Sequence, residues 1–248
     1  MSECCLNFIY YISVVNVENK TILLSKERIK KMLIKNKIDE IAKLQMKILN
    51  VLDYNINDSS IIETGERVGK HLVNYCKNKD QDLEDLRKKL KTFEEVGYDQ
   101  IVIKKGIEVH SMCEHHMLPI VGKATICYLP KQIVEDFKPS GETTNVFKAT
   151  AEITKAIKKY KIVGTSKLAR IVKYFSMQFT IQERLTSQIA NFIMDELDAQ
   201  GVWVIINAQH FCEKIRGIRN PSDMITSTIL GIFRTDAELK SETQFLLS

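Results

Sequence analysis

Apolar side chains recur every three or four positions in the N-terminal part of the chain, which is the spacing of an amphipathic helix. Residues 38–52 follow this pattern and are predicted to be helical, ending before an Asn/Asp-rich turn. The basic segment 25–34 ahead of them opens with Ser25, a residue that can cap a helix. A further helix is predicted to begin near residue 63, and the charged segment 78–95 is predicted to be an exposed helix and turn.

Two long helices are predicted in the C-terminal half, at residues 166–177 and 183–198, each with one apolar face. Gly201 is predicted to stop the second of them. Ahead of both, residues 144–160 form a basic, weakly amphipathic stretch that is also predicted to be helical.

Alternating and β-branched segments predict the strands. Residues 100–112 predict a strand pair or one bent strand. Single strands are predicted at residues 123–129, 202–212 and 226–234, followed by a C-terminal tail. Since strand side chains alternate between faces, the even-numbered residues of the segment 202–212, His210 and Cys212 among them, are predicted to share one face.

The composition is that of an ordinary globular protein of 248 residues, enough for one domain or one domain with an appendage. The formal net charge of +5 suits an anionic small molecule, and without a dense basic arm the chain is not predicted to bind nucleic acid. Its six cysteines follow no regular framework, which favours a reducing compartment. The apolar segment 6–15 is shorter than the roughly 20 residues of a membrane span and lacks a basic n-region, so we expect a cytoplasmic protein without a membrane partner.

A candidate metal site is the clearest chemical signal in the sequence. Cys113 and His116 are three residues apart, a spacing that presents two ligands to one metal, and Cys212 can supply a third. Thiolate and imidazole ligands favour Zn²⁺, and three protein ligands leave the fourth tetrahedral position to water. The alternative is a buried free cysteine beside a core histidine, which the spacing alone leaves open.

Several short blocks of sequence contain or accompany these residues. They are His110-Ser-Met-Cys-Glu-His-His-Met-Leu-Pro-Ile-Val-Gly122, Ser166-Lys-Leu-Ala-Arg-Ile-Val172, Gln182-Glu-Arg-Leu-Thr186, His210-Phe-Cys212 with Arg216-Gly217, and Thr226-Ser-Thr-Ile-Leu-Gly231. In this order they resemble the signature of the GTP cyclohydrolase I family, and the likeness runs from about residue 40 to the C-terminus with one interruption.

The resemblance implies conversion of GTP to 7,8-dihydroneopterin triphosphate, with the purine C8 released as formate. It implies that Cys113, His116 and Cys212 hold a zinc ion that activates water for attack on C8. It also implies that His210 and His115 move protons, with His210 in the leading role.

Further residues are implied to bind or position the substrate. Ser166 resembles the residue that contacts the ribose during rearrangement, and Glu183 resembles the acceptor of paired hydrogen bonds from guanine. Gln182 and Glu114 are counted among the substrate-binding residues. The residues implied to hold the triphosphate are Lys167, Arg170 and Arg216, joined by Arg67 and Lys70 of a neighbouring subunit. For all these cations the alternative is a solvated helix face.

The fold implied is α+β, the tunnelling fold (T-fold): an antiparallel four-stranded sheet with two long helices on one face, plus N-terminal helices. We expect an N-terminal leader and helical region at residues 1–95 and a catalytic domain at 96–248. An insertion at about residues 131–163 is expected to be an external excursion that leaves the sheet intact. Gly65 stands where the family usually has Pro, so a looser helix start is expected there.

The family assembles as a homodecamer of two stacked pentamers, with active sites between subunits. Two alternatives to the cyclohydrolase remain at this stage. One is another purine or pterin enzyme of the same fold, and the other is a non-catalytic binding module stabilised by zinc. Nothing in the sequence selects the pathway that uses the product, whether folate, tetrahydrobiopterin or a deazapurine.

Overall fold

A computed structural model of the protein describes residues 14–17, 20–23, 26–78, 83–133 and 159–248. The chain forms two compact units that divide after Lys77. This division lies ahead of the predicted boundary at residue 95, because Leu86 belongs to the main core of the second unit. In the described part of the chain, no helix is both long and apolar enough to cross a membrane.

The first unit contains a short hairpin and two helices. Its elements are β1 (Val14–Val17), β2 (Lys20–Leu23), α1 (Lys26–Val51) and α2 (Thr64–Tyr75). One continuous helix, α1, therefore covers the two helical segments predicted at 25–34 and 38–52, and Ser25 lies outside the described residues.

Two glycines allow α1 and α2 to pack closely. A Cβ at Gly65 would lie 2.7 Å from the carbonyl oxygen of Ala42, and one at Gly69 would lie 2.6 Å from that of Ile38. Both distances are shorter than side chains tolerate, so each position requires glycine. Gly65 thus has a packing role that the expectation of a loose helix start did not include.

The second unit holds the remaining described elements. They are α3 (Glu84–Lys89), β3 (Thr92–Val96), β4 (Val102–Cys113), β5 (Pro119–Leu129), β6 (Gln132–Ile133), β7 (Lys159–Val163), α4 (Thr165–Ser176), β8 (Phe179–Thr180), α5 (Gln182–Leu197), β9 (Gly201–His210), α6 (Phe211–Lys214), β10 (Asp223–Gly231), a 3₁₀ turn (Ile232–Arg234) and α7 (Ala237–Leu247).

The main sheet has the strand order β10-β9-β5-β4-β8. The four long strands pair antiparallel, and the two-residue strand β8 adds to β4 in parallel. The predicted four-stranded antiparallel sheet is therefore confirmed, with β8 as an addition. β4 is one bent strand, since its pairing with β5 shifts register between Lys104 and Ile107, where Gly106 has a positive φ of 74°.

One face of this sheet carries the main core. Helices α4 and α5 contact it, as the predicted two-helix layer requires. The even-numbered residues Val202, Val204, Ile206 and Ala208 of β9 are buried there, which confirms the predicted alternation up to the end of that strand. Burial of such apolar faces stabilises the fold by about 25 cal/mol for each Å² removed from water.

The opposite face carries a smaller core under the C-terminal segment. Cys127, Leu129, Trp203 and Phe233 are its buried residues. The predicted tail is in fact the helix α7, whose first turn is capped by Asp236, which accepts a hydrogen bond of 2.9 Å from the backbone N–H of Leu239.

Strands β3, β7 and β6 form a second sheet, in that order, and none of the three belongs to the main sheet. Strand β3 falls in the segment predicted to be helix and turn, and Lys159 and Tyr160 belong to β7 and not to a helix. The rest of the predicted helix at 144–160 lies outside the described residues. The described residues of the insertion lie outside the main sheet, and the external excursion stays a prediction.

Helix α5 ends differently from the prediction. Asp198 takes the left-handed conformation that closes the helix, with φ 49°, and Gly201 is the first residue of β9. Asp tolerates this conformation better than most residues, so glycine was not required as the stop signal.

Candidate metal centre

The first two metal-ligand candidates lie on a tight loop between β4 and β5. Cys113 is the last residue of β4, and its backbone N–H donates to the carbonyl of Leu118 at 2.8 Å. Its own carbonyl accepts from Met117, which has a positive φ of 53°. These bonds close the loop so that Cys113 and His116 are presented from one turn of chain.

Cys212 reaches the same place from the end of β9. Ile120, at the start of β5, pairs with His210, so the end of β9 lies beside the strand that leaves the metal loop. The prediction that the strand continues to residue 212 is wrong, because β9 ends at His210 and Cys212 lies in the helical turn α6. The turn, and not strand alternation, therefore brings Cys212 to Cys113.

The three side chains converge as a metal site requires. Ligand atoms of Cys113, His116 and Cys212 all lie within 4.8 Å of one another, and Cys113 Sγ is 3.8 Å from His116 Nδ1. Zn–S and Zn–N bonds of tetrahedral zinc imply S···N separations of about 3.6 Å and S···S separations of about 3.8 Å. The donor set and its spacing therefore fit Zn²⁺.

The surroundings of the group leave one side open. Cys113 is buried, Cys212 is half-buried and His116 is exposed. Burial raises the pKa of the Cys212 thiol, and the neighbouring Cys113 raises it further by hydrogen bonding and by charge. Two thiols in this position favour a bound cation, because a coordinated metal holds thiols deprotonated.

His115 and His210 flank the metal ligands. His115 is exposed, and its Nδ1 lies 3.9 Å from Cys113 Sγ. His210 is half-buried, and its Nε2 lies 2.8 Å from Oε1 of Gln182. Burial lowers the pKa of His210, and the charges of Glu183 and Glu213 partly oppose this. The lowered pKa of His210 favours its neutral imidazole, which can accept a proton.

The predicted substrate-binding residues near the metal loop differ in their surroundings. Glu183 is exposed in the first turn of α5, and its charge acts on His210. Gln182 is 0 % exposed, and its amide bonds to the carbonyl oxygens of Ile206 and Met224 and to His210. The structure thus places Gln182 beneath the surface and Glu183 upon it.

Glu114 has a partner that the sequence reasoning missed. Arg184 donates to both carboxylate oxygens of Glu114, at 2.5 and 3.2 Å. The hydrogen bond from Arg184 lowers the pKa of Glu114 and outweighs the opposing effect of desolvation. The pair ties the metal loop to α5, and nothing local in the sequence indicates it because the two residues are far apart along the chain.

The candidate phosphate-binding residues on α4 lie away from the metal ligands of the same chain. Ser166, Lys167 and Arg170 occupy the first turns of α4, whose N-cap is Gly164 and not Ser166. Lys104, near the start of β4, donates to the carbonyl of Thr165 at 2.8 Å, so this end of the helix lies opposite the Cys113 end of the strand.

The other end of α4 leads back toward the metal loop. Ser111 Oγ lies 3.3 Å from the carbonyl oxygen of Gln178, two residues after the helix ends at Ser176. At about 1.5 Å per helical residue, Ser166 lies about 15 Å from Ser176 along the axis. One chain therefore does not bring Ser166 to its own metal ligands.

The remaining predicted cations are on the surface. Arg216 is exposed in the turn after α6. Arg67 and Lys70 are exposed on α2 of the first unit, where they pair with Glu63 and Glu66 of the same helix.

The chain matches a known protein family along most of its length. The family model described as GTP cyclohydrolase I matches residues 41–137 and 146–248. The interruption at 138–145 lies inside the insertion predicted at about 131–163.

Individual relatives match over most of their length. GTP cyclohydrolase 1 of Caldanaerobacter subterraneus subsp. tengcongensis is 33 % identical over 211 residues, covering 85 % of this chain and 96 % of that protein. GTP cyclohydrolase 1 of Coxiella burnetii is 38 % identical over 196 residues, covering 79 % and 90 %. GTP cyclohydrolase 1 of Clostridium perfringens is 34 % identical over 218 residues, covering 88 % and 100 %. With the family model matched along most of its length, this chain belongs to the GTP cyclohydrolase I family.

Proposed function

We propose that this chain hydrolyses the imidazole ring of GTP, releases formate and forms 7,8-dihydroneopterin triphosphate at a site centred on Cys113, His116 and Cys212. The observation that carries the proposal is the convergence of these three ligands, from two distant parts of the chain, beside His210. A non-catalytic module would not need a proton-transfer group next to an open metal position.

The metal is proposed to be zinc, held by the two thiolates and the imidazole. When bound, zinc supplies Lewis-acid activation of water near neutral pH. The protein's own contribution is proton transfer: His210 and His115, one half-buried and one exposed, accept and return protons as the ring opens and the ribose rearranges.

Glu183 is proposed to select guanine. Its exposed carboxylate lies close enough to His210 for its charge to act on that imidazole. A carboxylate can accept both the N1–H and the 2-amino group of guanine, and adenine offers no such pair of donors. Glu183 would therefore orient the base with C8 towards the metal.

The triphosphate is proposed to bind cations of another subunit. Ser166, Lys167 and Arg170 lie far from the metal ligands of their own chain, at the opposite end of β4. A helix N-terminus with two cations attracts phosphate, and a site that uses both groups needs two copies of the chain. Arg216, Arg67 and Lys70 are proposed to join them.

The assembly is proposed to be the homodecamer that the family resemblance implies. Strand β10 pairs with β9 on one side and has no partner strand on the other among the described residues. Such an edge is usually covered, and pairing between subunits covers it. A reducing, cytoplasmic setting is proposed because the ligand thiols must stay unoxidised.

Incubation of the purified, zinc-loaded protein with GTP tests the function. We expect equal amounts of formate and of pterin, the pterin being measured by its fluorescence after oxidation. A chelator should abolish both products, and zinc should restore them. Formate without pterin would show ring opening without cyclisation and would favour a different enzyme. Zinc binding without turnover of GTP would favour a binding module and would contradict the proposal.

A further inference from the structure

Gln182 is a polar side chain enclosed in the core at the start of α5. It is 0 % exposed, and its Nε2 lies 3.0 Å from the carbonyl oxygen of Ile206 and 2.9 Å from that of Met224. Nε2 also lies 3.1 Å from Oγ1 of Thr226. Because these acceptors belong to β9 and β10, the amide joins the helix to two strands of the sheet.

The orientation of this amide is determined by its partners. If the amide were flipped, Oε1 would face the carbonyl oxygens of Ile206 and Met224 with no hydrogen between them. Buried acceptors left without donors cost about 1–3 kcal/mol each. Nε2 therefore donates to the strands, and Oε1 is the atom that faces His210.

Neighbouring hydroxyl groups support the same direction. Thr186 Oγ1 donates to the backbone carbonyl of Gln182 at 2.7 Å and lies 2.6 Å from Thr226 Oγ1. Since the Thr186 hydroxyl has used its proton, Thr226 donates to it and keeps a lone pair for Gln182. Every donor in the chain of bonds then has an acceptor.

The direction of the network has a consequence for His210. Its Nε2 lies 2.8 Å from Gln182 Oε1, and an amide oxygen can only accept. Nε2 of His210 must therefore carry a proton. Among the described residues, the His210 ring forms a hydrogen bond with Gln182 through Nε2 and none through Nδ1. Nδ1 is therefore the ring nitrogen left for a ligand or substrate.

We propose that Gln182 is a positioning residue that anchors His210 to the sheet through Nε2–H and leaves Nδ1 as the ring atom available to the substrate. The proposal rests on the proposed function, in which His210 transfers protons. It differs from the role first expected for Gln182, since a side chain with no exposed surface and no unused hydrogen-bonding atom does not contact GTP.

Steady-state kinetics distinguish anchoring of His210 by Gln182 from direct binding of GTP by Gln182. Gln182→Met keeps the length of the side chain and removes the anchor, so we expect kcat to fall by about 100-fold while KM for GTP changes by less than about threefold. Gln188→Met is the matched control: the same change on the same helix, at an amide that bonds to Gln178 and not to His210. Its kcat should stay within about twofold of the unmutated protein.

Zinc content is measured for both variants, and we expect it to be unchanged. A Gln182→Met variant with raised KM and retained kcat would overturn the proposal, as would one with the kinetics of the control.

Solid-state ¹⁵N NMR of the zinc-loaded, histidine-labelled protein reads the ring nitrogens directly. We expect a neutral His210 ring protonated at Nε2, assigned by its loss in His210→Asn. Protonation at Nδ1, or a mixture of the two tautomers, would overturn the proposal. This measurement needs neither a folded Gln182→Met variant nor turnover, so it tests the anchor even if the proposed cyclohydrolase activity were absent.

Discussion

Cys212 illustrates how much depends on single side chains at this site. It lies in a one-turn helix, and its thiol is close to that of Cys113, the residue that ends β4. Both thiols also pack in or against the main core, and serine is close to cysteine in size. Their chemical role is different, because a hydroxyl is a far weaker ligand for zinc than a thiolate.

We therefore expect Cys212→Ser to weaken zinc binding by more than about 100-fold. This is a larger loss than that caused by substituting a residue that only hydrogen-bonds to a metal ligand. Competition with a chromogenic chelator measures the affinity. Cys76→Ser, a cysteine of the first unit, is the control and should retain zinc fully. Unchanged zinc affinity in Cys212→Ser would remove Cys212 from the site.

Cys127, unlike Cys212, is a fully buried cysteine and not a candidate metal ligand. It is 0 % exposed in the small core under α7, and burial raises its pKa from the ordinary value of 9.0 to about 12. Between these two pKa values, the Cys127 thiol is protonated in the folded protein and deprotonated in the unfolded chain. The stability contributed by this group is present below pH 9 and is lost as the pH rises towards 12.

Urea unfolding at pH 8 and pH 10 checks this pH dependence. Relative to Cys127→Ala, the unmutated protein should lose about 1.4 kcal/mol of unfolding free energy between pH 8 and pH 10. The buried Tyr128 is common to both proteins, so its own titration cancels in the comparison. Parallel losses in the two proteins would contradict the raised pKa of Cys127.

At the scale of elements, periodicity predicted the long helices and strands correctly. Helices α4 and α5 and strands β4, β5, β9 and β10 all lie where their apolar spacing indicates. The misses are short elements in polar segments and two strand ends, since β9 stops at His210 and β10 stops at Gly231, ahead of the predicted residues 212 and 234. Strand β3 was not predicted, because it lies in a charged segment and its partner β7 comes from a distant part of the chain.

The segment between β6 and β7 gives a prediction at this scale. Deletion of residues 138–145, which the family model leaves unmatched, should change the unfolding free energy by less than about 1 kcal/mol, because loop closure entropy depends only on the logarithm of length. Turnover of GTP should also be retained. Urea midpoints and the formate assay measure both.

Deletion of β7 is the contrasting variant. Tyr160 and Val163 are 4 % and 3 % exposed, and β7 pairs with both β3 and β6. Its removal should cost several kcal/mol, about 2–5 for each large buried side chain lost. If removal of 138–145 were as damaging as removal of β7, the excursion would be part of the folded unit.

At the scale of the whole molecule, the proposed active site needs more than one chain. The metal ligands and the phosphate-binding candidates of α4 lie at opposite ends of β4. The edge strand β10 offers a surface for a second copy, and Ile225 on it is 66 % exposed. Assembly and activity should therefore be lost together.

We expect Ile225→Lys to block edge-to-edge pairing, because a charge on an edge strand opposes the approach of another strand. Light scattering should report a smaller assembly with an unchanged circular dichroism spectrum and zinc content, and turnover should fall with the assembly. Phe245→Lys, at an exposed apolar residue of α7 and not on an edge strand, is the control. A small assembly with full activity would show that one chain holds the whole site.

The sequence by itself determined the long helices and strands, the three candidate metal ligands and the family, because these depend on periodicity and on short contiguous blocks. Tertiary structure decided the rest. It showed that a helical turn carries Cys212, that Gln182 is buried against His210 and that Arg184 pairs with Glu114. Such contacts join residues far apart in sequence, and their geometry follows from strand register and helix packing, which no local pattern records.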